Sequence, residues 1–240
     1  MAWGCVMNIP FSADQFLDVF ARYNLAVWPA QALLLLLGLT CVLLALIDRE
    51  WSSRMINLIL SFLWLWMGVV YSFVFLTRIT WIAWIFGALF ILQALIFFEA
   101  GVRKSLLSFR LTPGLYGAVG ILVICFALGI YSTPGYLNAH TYPAAATFGL
   151  PCPTTIFLFG LLLWTKHRVP GYVMVIPLAW SLIGLWAAVS LSMTEDLGLI
   201  VGWLVFALLA YRNSHYREQV LPNPEKSNQH SPRDLSLGNV

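Results

Sequence analysis

The stretch LAVWPAQALLLLLGLTCVLLALI, from Leu25 to Ile47, contains no charged side chain and decides what kind of solvent this chain needs. A helix must place about 20 predominantly apolar residues in series to cross a hydrocarbon core of about 30 Å. Five further runs of similar character follow: Met55–Leu76, Ile79–Phe98, Pro113–Ser132, Tyr172–Leu191 and Asp196–Tyr211. A seventh, ending at Trp164, is irregular. Backbone groups in lipid must be satisfied within their own segment, so these runs predict helices. No alternating ten-residue pattern of the kind that builds a membrane barrel is present.

The rest of the composition agrees. Of the 240 residues, 60% are hydrophobic and 10% are charged, and the mean hydropathy is +0.83. A soluble domain carries roughly 25% charged residues. This chain lacks the polar surface to cover itself in water, so the expected fold class is all-α, a polytopic membrane helix bundle of about seven spans. The first 24 residues show neither a basic n-region nor the continuous apolar run of a secretory signal. Cys5, Cys41, Cys125 and Cys152 form no CxxC pair, so no disulfide framework can be read from them.

Charge placement sets the orientation. Arg49, Arg54, Arg103, Lys104, Arg110, Lys166 and Arg168 fall in one set of connections, and Arg212, Arg217, Lys226 and Arg233 in the tail that joins them; only Arg22 and Arg78 fall on the other side. The positive-inside rule then predicts an outer N-terminus and a cytoplasmic C-terminus. Ser12-Ala13-Asp14-Gln15 has capping-box spacing and is followed by Phe16, Leu17, Phe20 and Tyr23 at helical intervals. This predicts a short amphipathic helix over residues 12–23, lying on the outer face. Three parts result: residues 1–24 as an outer-face segment, 25–211 as the seven-helix domain, and 212–240, with Pro222, Pro224 and Pro232, as a disordered cytoplasmic tail.

Several chemistries are disfavoured. Asp48, Glu99, Glu195 and Asp196 lie at span ends, no span holds a lysine, and no histidine lies in a regular span. Ionisable groups at depth are costly and mark function when present. A retinal Schiff base, a bis-histidine haem, a buried zinc hydrolase and a carboxylate proton relay are therefore not expected, nor is there a GxSxG elbow. The reading is of a non-enzyme without cofactor or metal, partnered by the lipid bilayer and not by nucleic acid. Gly198 and Gly202 form a GxxxG in the last run, which serves either close packing within the bundle or a homodimer seam.

Residues 132–164, STPGYLNAHTYPAAATFGLPCPTTIFLFGLLLW, are the exception to regular spans. Counted back from Lys166, the uninterrupted run reaches only Thr154, a rise of about 18 Å at about 1.5 Å per residue. This predicts a fifth helix broken at Pro151–Pro153, or a re-entrant loop. Broken helices present free N–H groups and a positive dipole end, as in many transporter sites. The candidate ligand-binding residues are His140, Cys152, Thr154 and Thr155 here, with Gln31 and Gln93 from the first and third spans; a small polar or anionic solute is the implied ligand. A Pro-rich turn with Cys152 packed as a small hydrophobe, and a soft-metal site at Cys152, are the alternatives.

Tyr23-Asn24-Leu25-Ala26-Val27-Trp28-Pro29-Ala30-Gln31, Phe90-Ile91-Leu92-Gln93-Ala94-Leu95 and Phe148-Gly149-Leu150-Pro151-Cys152-Pro153-Thr154-Thr155 together resemble an uncharacterised family of bacterial multi-pass membrane proteins, a domain of unknown function. The likeness covers roughly residues 12–211. It implies a bacterial cytoplasmic membrane and brings no activity with it. Two functions follow as expectations: a small-solute permease with its site at the broken helix, or a non-transporting scaffold, accessory or sensory subunit. A permease requires a polar cavity joining Gln31, Gln93 and Thr154. A scaffold requires those side chains to be spent on one another or on neighbouring helices.

Overall fold

The computed structural model describes residues 12–47, 49–131 and 141–191, and within the last run residues 199, 200, 202–205, 207–209 and 211. Cys5, His140, Glu195, Asp196, Gly198 and the tail from Arg212 lie outside the described residues. Among those described, the chain is helical, with two isolated backbone bridges and no strand.

Helix α1 (Ala13–Val27) opens as its sequence predicts: Gln15 donates its N–H to Ser12 Oγ at 3.2 Å, and Ser12 donates its own to Gln15 Oε1 at 2.9 Å. Val19, Phe20 and Tyr23 are buried while Asp14, Asp18 and Arg22 are exposed. The helix runs on to Val27, past the predicted end, and α2 (Ala30–Ile47) starts at Ala30, not Leu25. Pro29 is the cause. It has no N–H to donate, and it holds the preceding Trp28 in an extended conformation with ψ 130°.

Helix α3 runs from Glu50 to Arg78 and widens into π-helical turns over Met67–Phe75. Ser72 follows that wider pitch by donating its hydroxyl to Met67 O, five residues back, at 3.0 Å. Helix α4 spans Ala83–Arg103, and α5 is Leu115–Cys125 with π turns over Phe126–Ile130. Helix α6 is Pro151–Leu163 and α7 is Gly171–Leu191; residues 200, 202–205, 207–209 and 211 are helical beyond it. One end of the bundle carries α1 and residues 141–150, and the other carries Arg49, residues 104–114 and residues 164–170.

Three of these helices are long and apolar enough to cross a membrane: α2, α3 and α4. Their outward faces are apolar. Helix α2 has mean hydropathy 2.6, yet only 33% of it is buried; Leu33, Leu36, Leu39, Leu43 and Leu46 all point away from the protein. A soluble monomer rarely exposes an apolar surface of that extent. Helices α5 and α6 are shorter apolar helices, and α7 is apolar over Gly171–Ala187.

Helix α6 is the centre of the bundle. All thirteen of its residues are buried. It lies so close to α5 that a Cβ on Gly160 would stand 3.1 Å from the Gly120 carbonyl oxygen and 2.6 Å from Ile124 Cγ1. Gly202 does the same for the last helical stretch, where an added Cβ would stand 2.2 Å from the Phe159 ring. Gly202 is thus used in packing inside the chain, against α6, while Gly198, its partner in the GxxxG, lies outside the described residues.

The end that carries Arg49 is closed by the non-helical strap 104–112. Phe109 donates its N–H to Ser53 Oγ at 3.0 Å, and Asn57 donates through Nδ2 to Leu107 O at 2.9 Å. Leu111 N–H reaches Ala45 O at 3.2 Å, Arg110 N–H reaches Trp164 O at 2.8 Å, and Lys166 N–H reaches Ser108 O at 2.8 Å. The strap thus ties α2, α3 and the end of α6 together.

Candidate functional site

The geometry around Pro151 corrects the predicted break. Helix α6 is not interrupted; it begins at Pro151, with Leu150 as its extended N-cap. Both Pro151 and Pro153 sit in the first turn, where a helix has no intrahelical acceptor for its N–H groups, so the missing donors cost nothing. Residues 141–150 form turns, not a helix. Gly149 has φ +101°, a conformation that side chains oppose, and an added Cβ would stand 2.4 Å from Leu34 Cδ1. That backbone lets Gly149 donate its N–H to Thr154 Oγ1 at 3.3 Å, which folds the loop onto the start of α6.

Asn24, near the end of α1, holds the loop from the other side. Its Nδ2 donates to Pro143 O at 2.6 Å and to Ala145 O at 2.8 Å. Its Oδ1 accepts from Gln31 Nε2 at 2.5 Å and from Thr147 Oγ1 at 2.8 Å. An asparagine amide has two donors and two acceptor lone pairs, and all four are used here. Gln31 also reaches Thr147 Oγ1 at 3.3 Å, and Tyr142 donates its hydroxyl to the Asn24 carbonyl at 3.4 Å. Beside this hub Trp66 Nε1 donates to the Tyr23 hydroxyl at 2.8 Å, and the Tyr23 ring packs edge-on against Tyr71 and Phe75.

The predicted candidates are therefore divided. Gln31 and Thr154 meet the same loop. Gln93 bonds elsewhere, donating through Nε2 to Val173 O at the start of α7 at 2.9 Å. Cys152 is buried, packed in the main core and in no disulfide. Thr155 is fully buried, and its hydroxyl has no partner among the described residues; the same holds for Gln93 Oε1. His140 lies outside the described residues. Among those described, no three His, Cys, Asp or Glu side chains gather as a metal site.

Asn24, Thr147 and Ser53 were missed as structural polar residues. Asn24 and Gln31 fall in different helices, α1 and α2, on either side of Pro29, so helical spacing gave no signal for this hub. Thr147 gave none, because its partner lies 123 residues away in the chain.

A central buried helix, a loop pinned over its start and apolar outward faces define, among the described residues, an all-helical bundle with three helices long and apolar enough to cross a membrane. The chain belongs to the family of unknown function DUF6064, whose model matches residues 13–220. No curated protein and no solved structure matches it.

Proposed function

We propose that the chain is an integral membrane scaffold, an accessory or sensory subunit without enzymatic activity, whose bundle crosses a bacterial cytoplasmic membrane seven times with its N-terminus outside. The observation that carries this reading is the state of the polar side chains beside α6. The Asn24 amide is spent on four bonds within the protein, and Gln31 and Thr154 are spent on Asn24, Thr147 and Gly149. Groups used in this way hold helices together and leave no array for a solute.

The topology has its own support. Helices α2, α3 and α4 have the length and hydropathy of spans. Shorter α6 needs no full span length, because protein encloses it at every residue, and non-helical backbone at membrane depth is tolerated under that condition. Arg49, Arg54 and Lys166 line one cleft, beside the strap that carries Arg110, while Arg22 and Arg78 line another next to α1. A reporter active only in the cytoplasm, fused after Val240, is expected to give signal; signal from a periplasm-only reporter instead overturns the orientation.

The permease reading keeps one observation in its favour. Thr155 Oγ1 and Gln93 Oε1 are buried acceptors with no partner among the described residues. Water access to the start of α6 separates the two readings, because a scaffold excludes solvent there and a permease admits it.

A further inference from the structure

At the end opposite Asn24 a cleft of about 360 Å³ opens between the start of α3, the strap and residues 166–167. That volume falls within the range of small-molecule sites, about 300–1,000 Å³. Its walls carry three permanent cations, Arg49, Arg54 and Lys166, against one carboxylate, Glu50. His167 also lines it. Among the described residues neither Arg49 nor Arg54 is in an ion pair. The neighbouring cations differ: Arg103 and Lys104, which lie outside the cleft, both pair with Glu99, at 2.8 and 3.3 Å.

Hydrogen-bond donors converge on the same space. Arg49 is the extended N-cap of α3 and its side chain caps nothing, so the first-turn N–H groups receive no side-chain acceptor from it. Ser108 lines the cleft with an enclosed hydroxyl that has no partner among the described residues. Arg54 Nε lies 3.4 Å from Ser105 Oγ, and Ser105 is held with φ +51°, in the left-handed region. Two guanidiniums in no ion pair among the described residues, a hydroxyl with no partner among them and an uncapped helix start suit an anion with several acceptor oxygens. Arginine matches such an anion with paired donors, and the helix dipole adds to the attraction.

We propose that this cleft binds the phosphate group of an anionic ligand, supplied by a phosphodiester lipid headgroup or by a soluble phosphate ester. The lipid source rests on the topology proposed above, which the reporter fusion reads separately; the anion site does not.

The test is thermal unfolding of the full chain, purified in neutral detergent and followed by tryptophan fluorescence. It is titrated with phosphatidylglycerol, with phosphatidylcholine and with glycerol 3-phosphate, in low salt. Arg49→Gln/Arg54→Gln is the test variant, and Arg103→Gln/Lys104→Gln removes two charges from the same end outside the cleft. Both cleft guanidiniums are exposed, so the test variant is expected to keep its ligand-free Tm. If it does not, Arg49→Gln alone replaces it. A Tm rise with phosphatidylglycerol but not phosphatidylcholine assigns the lipid source, and a rise with glycerol 3-phosphate assigns the soluble one. In either case the apparent affinity is expected to fall about tenfold or more in the test variant and to persist in the other. No rise with either phosphate, an equal response in the test variant, or an equal loss in both variants overturns the proposal.

Discussion

Thr147 donates its hydroxyl to Asn24 Oδ1 at 2.8 Å, joining the loop before α6 to the end of α1 across 123 residues of chain. The same amide oxygen takes Gln31 Nε2, and the same amide nitrogen takes two loop carbonyls. One side chain thus fixes three elements. Its removal leaves several buried groups unpaired at once.

Asn24→Ala is therefore expected to cost about 2–3 kcal/mol, because each orphaned buried group costs about 1–3 kcal/mol and the remaining groups partly re-pair. Ser12→Ala, which removes only the exposed cap of α1, is expected to cost about 1 kcal/mol. Chemical denaturation in detergent checks both. Equal losses for the two variants would show that the hub contributes no more than an ordinary cap.

Gly149→Ala is expected to lower stability by more than about 1 kcal/mol, since φ +101° and Leu34 Cδ1 at 2.4 Å both oppose a Cβ. Adding Leu34→Ala relieves the clash but not the backbone conformation. The double variant is therefore expected to show a coupling energy larger than about 0.5 kcal/mol in a double-mutant cycle. Simple additivity contradicts the contact.

The α5–α6 crossing predicts opposite outcomes for two glycines. Gly160→Ala must push on Ile124 and the Gly120 carbonyl and is expected to destabilise by about 1–3 kcal/mol. Gly129, whose added Cβ would meet nothing within 4 Å, is expected to tolerate alanine or to gain a few tenths of a kcal/mol from it. Melting curves of the two single variants check the pair, and a loss at Gly129 equal to that at Gly160 contradicts it.

These contacts also show what the sequence could carry. The capping box at Ser12 and Gln15 is local, and so was legible to within a few residues; the apolar runs fixed the helices because their period needs no partner. The start of the first long helix was misplaced because apolar character continues through Trp28 and Pro29, whereas the backbone does not. At Pro151 a rise of about 18 Å is too short only for a helix that has lipid around it. Helix α6 is enclosed by α5, α7 and the loop instead, and burial by distant segments has no local signature. The Asn24 hub was illegible for the same reason, since Pro143, Ala145 and Thr147 are all more than a hundred residues from it.

Solvent access to Cys152 tests the central claim, that the start of α6 is packed protein and not a solute path. In the intact membrane, with Cys5, Cys41 and Cys125 replaced by alanine, a small membrane-impermeant thiol reagent is applied from outside at a pH near the ordinary thiol value of about 8.5. The account predicts no labelling of Cys152 in the folded protein by this reagent or by a bulky one, and full labelling after denaturation. Rapid labelling by the small reagent in the folded protein, abolished by Thr154→Trp, would contradict the scaffold and establish a water-filled path to α6.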